Sequence, residues 1–337
     1  MHPRGILNIG GITLMYIVTG GAGFIGSAMV WQLNQLGITD ILVVDHLATS
    51  EKWKNLVPLK YRDYLDRAEF AAKVQTRSLG HIDAIIHLGA CSATTERDAD
   101  YLMNNNAKWT VELAAWAVER ETRFIYASSA ATYGDGAQGF DDTADPYSLR
   151  PLNMYGYSKH LSDVRLHEAG LLEHVAGVKF FNVYGPNEYH KGNMASVVLH
   201  SHRRIREEGA ISLFKSYKPE YADGAQVRDF IYVKDVVDAL AWLMQTPSAN
   251  GIFNLGTGQA RSWNDLANAI YAGIGQEPVI KYIEMPDALQ GKYQYFTEAK
   301  MTKLRASGYT RPFTSLEDAV KDYVINHLDK ELAPLGW

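Results

Sequence analysis

Short apolar runs rich in β-branched residues recur along the first half of the chain, separated by longer stretches whose apolar positions return every three or four residues. The runs are MYIVTG (15–20), ILVVD (41–45), AIIHLGA (84–90), RFIYASS (123–129) and VKFFNVYG (178–185). Near-continuous apolar strands fit a sheet covered on both faces, and strands spaced by amphipathic helices imply crossover connections. The pattern therefore predicts an α/β fold with a doubly wound parallel sheet.

After about residue 185 the rhythm loosens into irregular segments such as GPNEYHKGNM and KSYKPEYADGAQ, and the sheet is expected to resume at RDFIYVKDVVDAL and GIFNLGTG. RSWNDLANAIYAGIG reads as a helix capped by Ser262 with Asp265 at its third position, and FTSLEDAVKDYVINHL as one opened by a capping box from Thr314 to Glu317. The expected organisation is a cofactor domain over 15–181 plus about 230–258, and a smaller interleaved C-terminal substrate lobe over 182–229 and about 259–330. The site is expected between them. Residues 1–14 read as a disordered extension, with Met15 an alternative start directly before the first strand.

Composition narrows the function classes. With 337 residues, 47% hydrophobic and 21% charged, the chain can bury a large core. A net charge of −5 argues against nucleic-acid or anionic-membrane partners, which call for a basic patch. The single cysteine, Cys91, excludes an internal disulfide and fits a reducing, cytoplasmic setting. No apolar run reaches membrane-spanning length and no Cys/His spacing suits a metal.

The first strand runs into VTGGAGFIGSAMVWQL, which sets Gly20, Gly23 and Gly26 as Gly-x-x-Gly-x-x-Gly between a strand and an amphipathic helix. That is the context a dinucleotide turn requires: a tight bend, close backbone approach, and a helix N-terminus aimed at a pyrophosphate. The sheet is thus expected to be of Rossmann type. Asp45 ends the second strand 19 residues after Gly26, where an acid accepts hydrogen bonds from a ribose and by itself favours NAD. His46, Lys52 and Arg67 can reverse that preference by meeting a 2'-phosphate, so the residues leave NAD and NADP open.

Tyr155 and Lys159 lie four apart in NMYGYSKHLSDVRLHE, a spacing that stacks them on one helix face. Ser128 and Ser129 end the strand RFIYASS at the sheet edge where ligands of such folds bind. Ser129, Tyr155 and Lys159 have the form of a hydride-transfer triad. A phenol is a poor base at neutral pH, and a neighbouring ammonium with a positive nicotinamide ring favours its anion. Tyr155 then exchanges a proton with a substrate hydroxyl while Lys159 holds the ribose and Ser129 the reacting oxygen.

With its glycine turn, serine strand and Tyr-x-x-x-Lys in order, the chain resembles the extended short-chain dehydrogenase/reductases that act on nucleotide sugars, over essentially residues 15–330. Dehydratases of that group carry Asp-Glu after the triad Ser/Thr, where this chain has Ala130 and Ala131, so the resemblance implies an epimerase. More specifically, GACSATTE, FFNVYGPNEYHKGNMASVVLH, RDFIYV and GKYQYFT look like the family of epimerases that invert C6 of an ADP-activated heptose for the lipopolysaccharide inner core. UDP-galactose 4-epimerases, the alternative, have a different loop after the Asn strand; a redox-sensing, nucleotide-binding regulator would leave the triad idle.

That resemblance implies tightly bound NADP, an ADP-heptose substrate and a ring-shaped homopentamer. It places Phe24, Ile25, Asp45, His46, Lys52, Arg67, Leu88, Gly89, Ala90, Cys91, Ser92, Asn105, Lys159 and Val183 on the cofactor. Asn182, Asn193, His200, Phe214, Lys215, Ser216, Tyr217, Arg228 and Tyr293 fall on the substrate, and Lys191 falls opposite Tyr155 as a second acid/base that also borders the cofactor. Arg228 is chemically apt, since a guanidinium fork matches a diphosphate. The chain departs from the family pattern at His46, at Asn193 and in the longer loop KSYKPEYADGAQV.

Overall fold

The structure is a computed structural model that describes residues 15–287 and 293–337; the extension expected at 1–14 lies outside them. Seven strands form the central sheet: β1 (Tyr16–Thr19), β2 (Ile41–Asp45), β3 (Asp63–Asp66), β4 (Ala84–His87), β5 (Arg123–Ser129), β6 (Ala176–Phe180) and β10 (Gly251–Leu255). Their order is β10-β6-β5-β4-β1-β2-β3 and every pairing is parallel. From β1 the chain winds outward through β2 and β3, then returns to β4 on the other side. The crevice beyond the carboxyl ends of β1 and β4 is therefore the switch point where such sheets bind ligands.

Helices α1 (Phe24–Gln35), α2 (Arg67–Gln75), α3 (Ala99–Leu102), α4 (Trp109–Glu119), α5 (Met154–Glu168), α6 (Val197–Glu208), α7 (Val233–Gln245) and α8 (Trp263–Ile274) follow in chain order. Strand alternation divides the sheet between two cores. Val18, Val43 and Ile86 join Met29 and Leu33 of α1 and Val237 of α7. Ile17, Val44 and Ile85 join Phe70 of α2 and Leu113 and Trp116 of α4. This is the Rossmann-type α/β architecture the apolar runs predict. Strand β3, DYLD, is an edge strand that the apolar criterion passes over.

Two expectations need correction. VKFFNVYG is not one strand: β6 ends at Phe180, and β7 (Asn182–Tyr184) leaves the sheet. RDFIYV, as β9 (Val227–Tyr232), does not rejoin the central sheet but pairs parallel to β7 and antiparallel to β11 (Ala260–Ser262). β9 carries Arg228 and Asp229, both buried, and each buried charge needs polar partners. In the small sheet Asp229 accepts from the backbone N–H groups of Thr257, Gly258 and Ala299. β8 (Ile211–Phe214) and β12 (Ile280–Ile283) form a separate parallel pair.

The Ser262–Asp265 capping box forms as expected. The other does not: Ser315, one residue later than Thr314, caps helix Leu316–Tyr323 by accepting from the Asp318 N–H, and Thr314 is drawn instead to Asp235. A tertiary carboxylate outcompetes the local box. Among the described residues no helix is long and apolar enough to cross a membrane.

Candidate active site

The glycine turn follows β1 at the switch point, and its residues are fixed by space. Gly20 has φ +65°, and a Cβ there would stand 2.7 Å from the Gly89 nitrogen; a Cβ on Gly26 would stand 1.9 Å from the Gly20 carbonyl oxygen. The turn thus packs directly on the loop after β4 and leaves the α1 N-terminus open. A groove of about 500 Å³ runs over it, lined by Gly20, Gly23, Phe24, Ile25, Gly26, Asp45, His46, Lys52, Leu88 to Ser92, Tyr155, Lys159, His190 and Lys191. Bare backbone at a helix N-terminus fits the pyrophosphate of a dinucleotide.

Asp45, nearly buried, accepts the Ala22 N–H at 2.9 Å, the His46 N–H at 2.7 Å and the Lys52 ammonium at 2.5 Å. The acid that alone favours NAD is thus already paired with a cation. An adjoining cavity of about 190 Å³ is lined by Asp45, His46, Lys52, Arg67 and Asn105. There Arg67 donates to the Asn105 side-chain oxygen at 2.9 Å, and His46 Nδ1 lies 2.9 Å from Asp66.

Helix α5 starts where the Asn153 side chain accepts the Gly156 N–H at 2.8 Å, which places Tyr155 in the first turn and Lys159 one turn on. Lys159 is buried and Tyr155 half-buried in the groove wall. Burial pushes the Tyr155 phenol up, and a hydrogen bond with Ser129 pulls it down. Ser129 also accepts the Ala131 N–H at 3.1 Å, which fixes its hydroxyl at the end of β5. Lys159 donates to the Ala127 carbonyl at 2.9 Å, not to the phenol. Its burial lowers the ammonium to about 8, against the raising effect of Asp163. Asp163 in turn accepts from Tyr126, Ser128 and the buried Lys179.

Lys191 reaches the same groove from the turn Tyr189–Met194, its ammonium 5.1 Å from the Phe24 ring centroid. Burial lowers its pKa and Glu188 opposes this. His190 beside it is lowered to about 4 by burial and by Lys52 and Lys191, so it is neutral at physiological pH.

A second cluster lies around β9. Arg228 is buried, its guanidinium 5.1 Å from the Tyr293 ring and 5.7 Å from that of Trp263, with one N–H on the Val227 carbonyl. Phe214 meets Tyr293 edge-on at 6.1 Å. Lys215 and Tyr217 both bind Glu284, and the Ser216 N–H donates to Asp223 at 2.8 Å. Asn182, Val183, Asn193 and His200 lie outside both cavities: the first two on β7, Asn193 in the turn after Lys191, and His200 on α6.

Sequence reasoning passed over Asn106. It sits in a π-helical stretch between α3 and α4, Met103–Lys108, and its side chain clamps Cys91 from both sides, accepting the N–H and donating to the carbonyl at 2.9 Å each. It also donates to Ser158, whose hydroxyl donates to the Tyr155 carbonyl. One residue thus ties the groove floor to the tyrosine helix. The available signal was MNNNA, three poor helix formers opening an otherwise apolar helix.

Such a sheet, with a glycine turn at its switch point and a tyrosine and lysine on one helix face beside it, defines a dinucleotide-dependent enzyme of the short-chain dehydrogenase/reductase type. A profile of the NAD dependent epimerase/dehydratase family matches residues 16–256. Over 316 residues, 93% of this chain and 98% of the relative, the sequence is 58% identical to the ADP-L-glycero-D-manno-heptose-6-epimerase of Nitratidesulfovibrio vulgaris. It is 50% identical over 328 residues, 94% and 99% of the two chains, to the protein of that name from Fusobacterium nucleatum. Among solved structures, the ADP-L-glycero-D-manno-heptose-6-epimerase of Helicobacter pylori superimposes with a TM-score of 0.78 at 27% identity, covering 93% of this chain and 96% of that one. The chain belongs to the NAD dependent epimerase/dehydratase family, and within it is an epimerase, an isomerase by reaction class.

Proposed function

We propose that this epimerase inverts C6 of ADP-glycero-manno-heptose, converting the D-glycero to the L-glycero form by transient oxidation to a ketone. The observation that carries the reading is that two half-buried proton-transfer groups, Tyr155 from α5 and Lys191 from the turn after β7, line one groove. A nicotinamide dinucleotide, when bound, accepts hydride from the substrate carbon and returns it from the same side. Inversion then requires the ketone to turn about its C5–C6 bond, which moves the oxygen away from the group that first took its proton. Tyr155 serves one orientation, with Ser129 holding the oxygen, and Lys191 serves the other; a lysine whose pKa burial has lowered suits the task.

The same reading assigns NADP. Lys52 neutralises Asp45, and Arg67 lines the adjoining cavity, which favours an added 2'-phosphate. Lys52→Met should weaken NADP by about tenfold or more and leave NAD nearly unchanged in equilibrium titrations; equal losses would remove Lys52 from the phosphate. Arg228 and the surrounding rings, with Asn182, Asn193, His200 and the segment 214–217, take ADP-heptose in the lobe formed by 182–229 and 259–330. A cytoplasmic homopentamer supplying heptose to lipopolysaccharide completes the reading, and sedimentation velocity tests the assembly.

The direct test is to incubate the purified protein with ADP-D-glycero-D-manno-heptose and resolve the epimers, with UDP-galactose as the control. Conversion of the first substrate alone is expected. Turnover of UDP-galactose in its place would favour the C4 epimerase.

A further inference from the structure

Three consecutive residues before the His190–Lys191 pair are each gripped by a distant part of the chain. The Asn187 side-chain oxygen accepts the Leu335 N–H at 2.8 Å, and the Leu335 side chain is 2% exposed. Glu188, fully buried, accepts the Tyr323 hydroxyl at 3.0 Å as well as the Ser196 N–H at 2.5 Å and hydroxyl at 2.6 Å. Tyr189 donates its hydroxyl to the Ala333 carbonyl at 3.0 Å and stacks on Tyr323 at 6.4 Å. His327 Nδ1 holds the same Ala333 carbonyl at 2.8 Å, so the tail is itself anchored.

The opposite side of this loop faces the cofactor half of the groove. The Asn187 amide donates to Ser27 on α1 at 2.9 Å, and its carbonyl accepts from Asn55 at 3.0 Å, which also binds the Ala22 carbonyl of the glycine turn. Asn187 has φ +79°, a left-handed conformation that asparagine tolerates better than most residues. The Lys191 N–H then closes on the Glu188 carbonyl at 3.0 Å and starts the turn that aims the ammonium over Phe24.

We propose that the segment Ala333–Leu335, together with Tyr323, is the positioning element for Lys191: it clamps residues 187–189 against the glycine-turn helix and thereby sets the second acid/base at the groove. This rests on the two-base reading above. Tyr155 takes its position from α5 and Asn153 and owes nothing to the tail. Loosening the clamp therefore affects one of the two proton-transfer positions and spares the other. A group held 1 Å out of place loses much of its catalytic effect even when the fold is intact.

Asn187→Gly tests this, because glycine keeps the left-handed backbone without strain and removes both side-chain bonds. Tyr189→Phe is the milder companion, losing the bond to the tail while keeping the ring on Tyr323. In single-turnover reduction of bound nucleotide by each separate epimer, Asn187→Gly should slow the epimer that depends on Lys191 by about tenfold. The other epimer should stay within about twofold of wild type, with bound nucleotide retained. Tyr189→Phe should give the same selectivity at about threefold, and it decides the matter if Asn187→Gly does not fold. Lys191→Met is run alongside. If Lys191→Met is selective between epimers while both clamp variants match wild type or slow both epimers alike, the clamp is overturned and the two-base reading stands. If Lys191→Met is itself unselective, the two-base reading fails and this inference fails with it.

Discussion

Tyr155 stands on a regular helix, one turn from Lys159, and its support is mostly near in sequence: Asn153 caps the helix and Ser158 bonds the Tyr155 carbonyl. Lys191 stands on a short turn broken at Gly192, and its support comes from Asn55 and Ser27 on one side and from Tyr323, Ala333 and Leu335 on the other. Two groups with the same proposed task in one groove are therefore held by different physics. A helix positions its side chains by its own hydrogen-bond repeat. A turn of six residues has no such repeat and must be fixed from outside, which makes Lys191 the more easily displaced of the two.

The largest expected effect separates them directly. Tyr155→Phe should lower epimerisation about a thousandfold, the middle of the range for losing a general acid/base, and should still permit partial oxidation of one epimer in single-turnover experiments. Lys191→Met should lower it about a hundredfold and permit partial oxidation of the other epimer. Normal handling of both epimers by Lys191→Met would collapse the comparison, leaving Tyr155 to serve both faces.

Arg228→Ala provides a control outside both regions. A guanidinium on a diphosphate acts on ground and transition states alike, so KM should rise about tenfold with kcat little changed, and equally for both epimers. A pure kcat defect would move Arg228 off the diphosphate.

The smallest effect concerns stability. Burial holds Lys159 at about 8 in the folded chain against an ordinary value of 10.5, so its charged form is disfavoured by folding. Below pH 8 both states carry the proton and the cost is complete. As pH rises from 8 toward 10.5 only the unfolded state keeps it, and stability from this group increases. Lys159→Met should therefore raise Tm by a few degrees in nucleotide-free protein, with the gain greatest below pH 8 and shrinking above it. Thermal melts across that range would show it; a gain that grows with pH would contradict the assignment of this cost to Lys159.

The legible parts of the molecule are those whose signal is local. Apolar runs marked the strands of the central sheet apart from DYLD, an edge strand that begins and ends in an aspartate and buries only Leu65. Gly20 and Gly26 were readable because no other residue fits where the structure puts them. Tyr155 and Lys159 were readable because a spacing of four is a helix turn. The failures lie where a distant group outbid the local one. Asp235 took Thr314 from its expected capping box, and β9, whose Asp229 binds the backbone of Thr257, Gly258 and Ala299, lies in the small sheet. Asn106 was missed because its partners, Cys91 and Ser158, are 15 and 52 residues away.

By itself the sequence determined the doubly wound sheet, the dinucleotide turn and the helical face that pairs Tyr155 with Lys159, since apolar periodicity, the missing Cβ and the 3.6-residue repeat act over a few residues and need no partner. Only the tertiary structure decided that Lys52 already neutralises Asp45, that Lys159 points at a backbone carbonyl, and that a segment 135 to 148 residues away holds the loop bearing Lys191. Those are contacts between groups far apart along the chain, and their geometry exists only once the intervening core has closed and removed the water that would otherwise satisfy each of them.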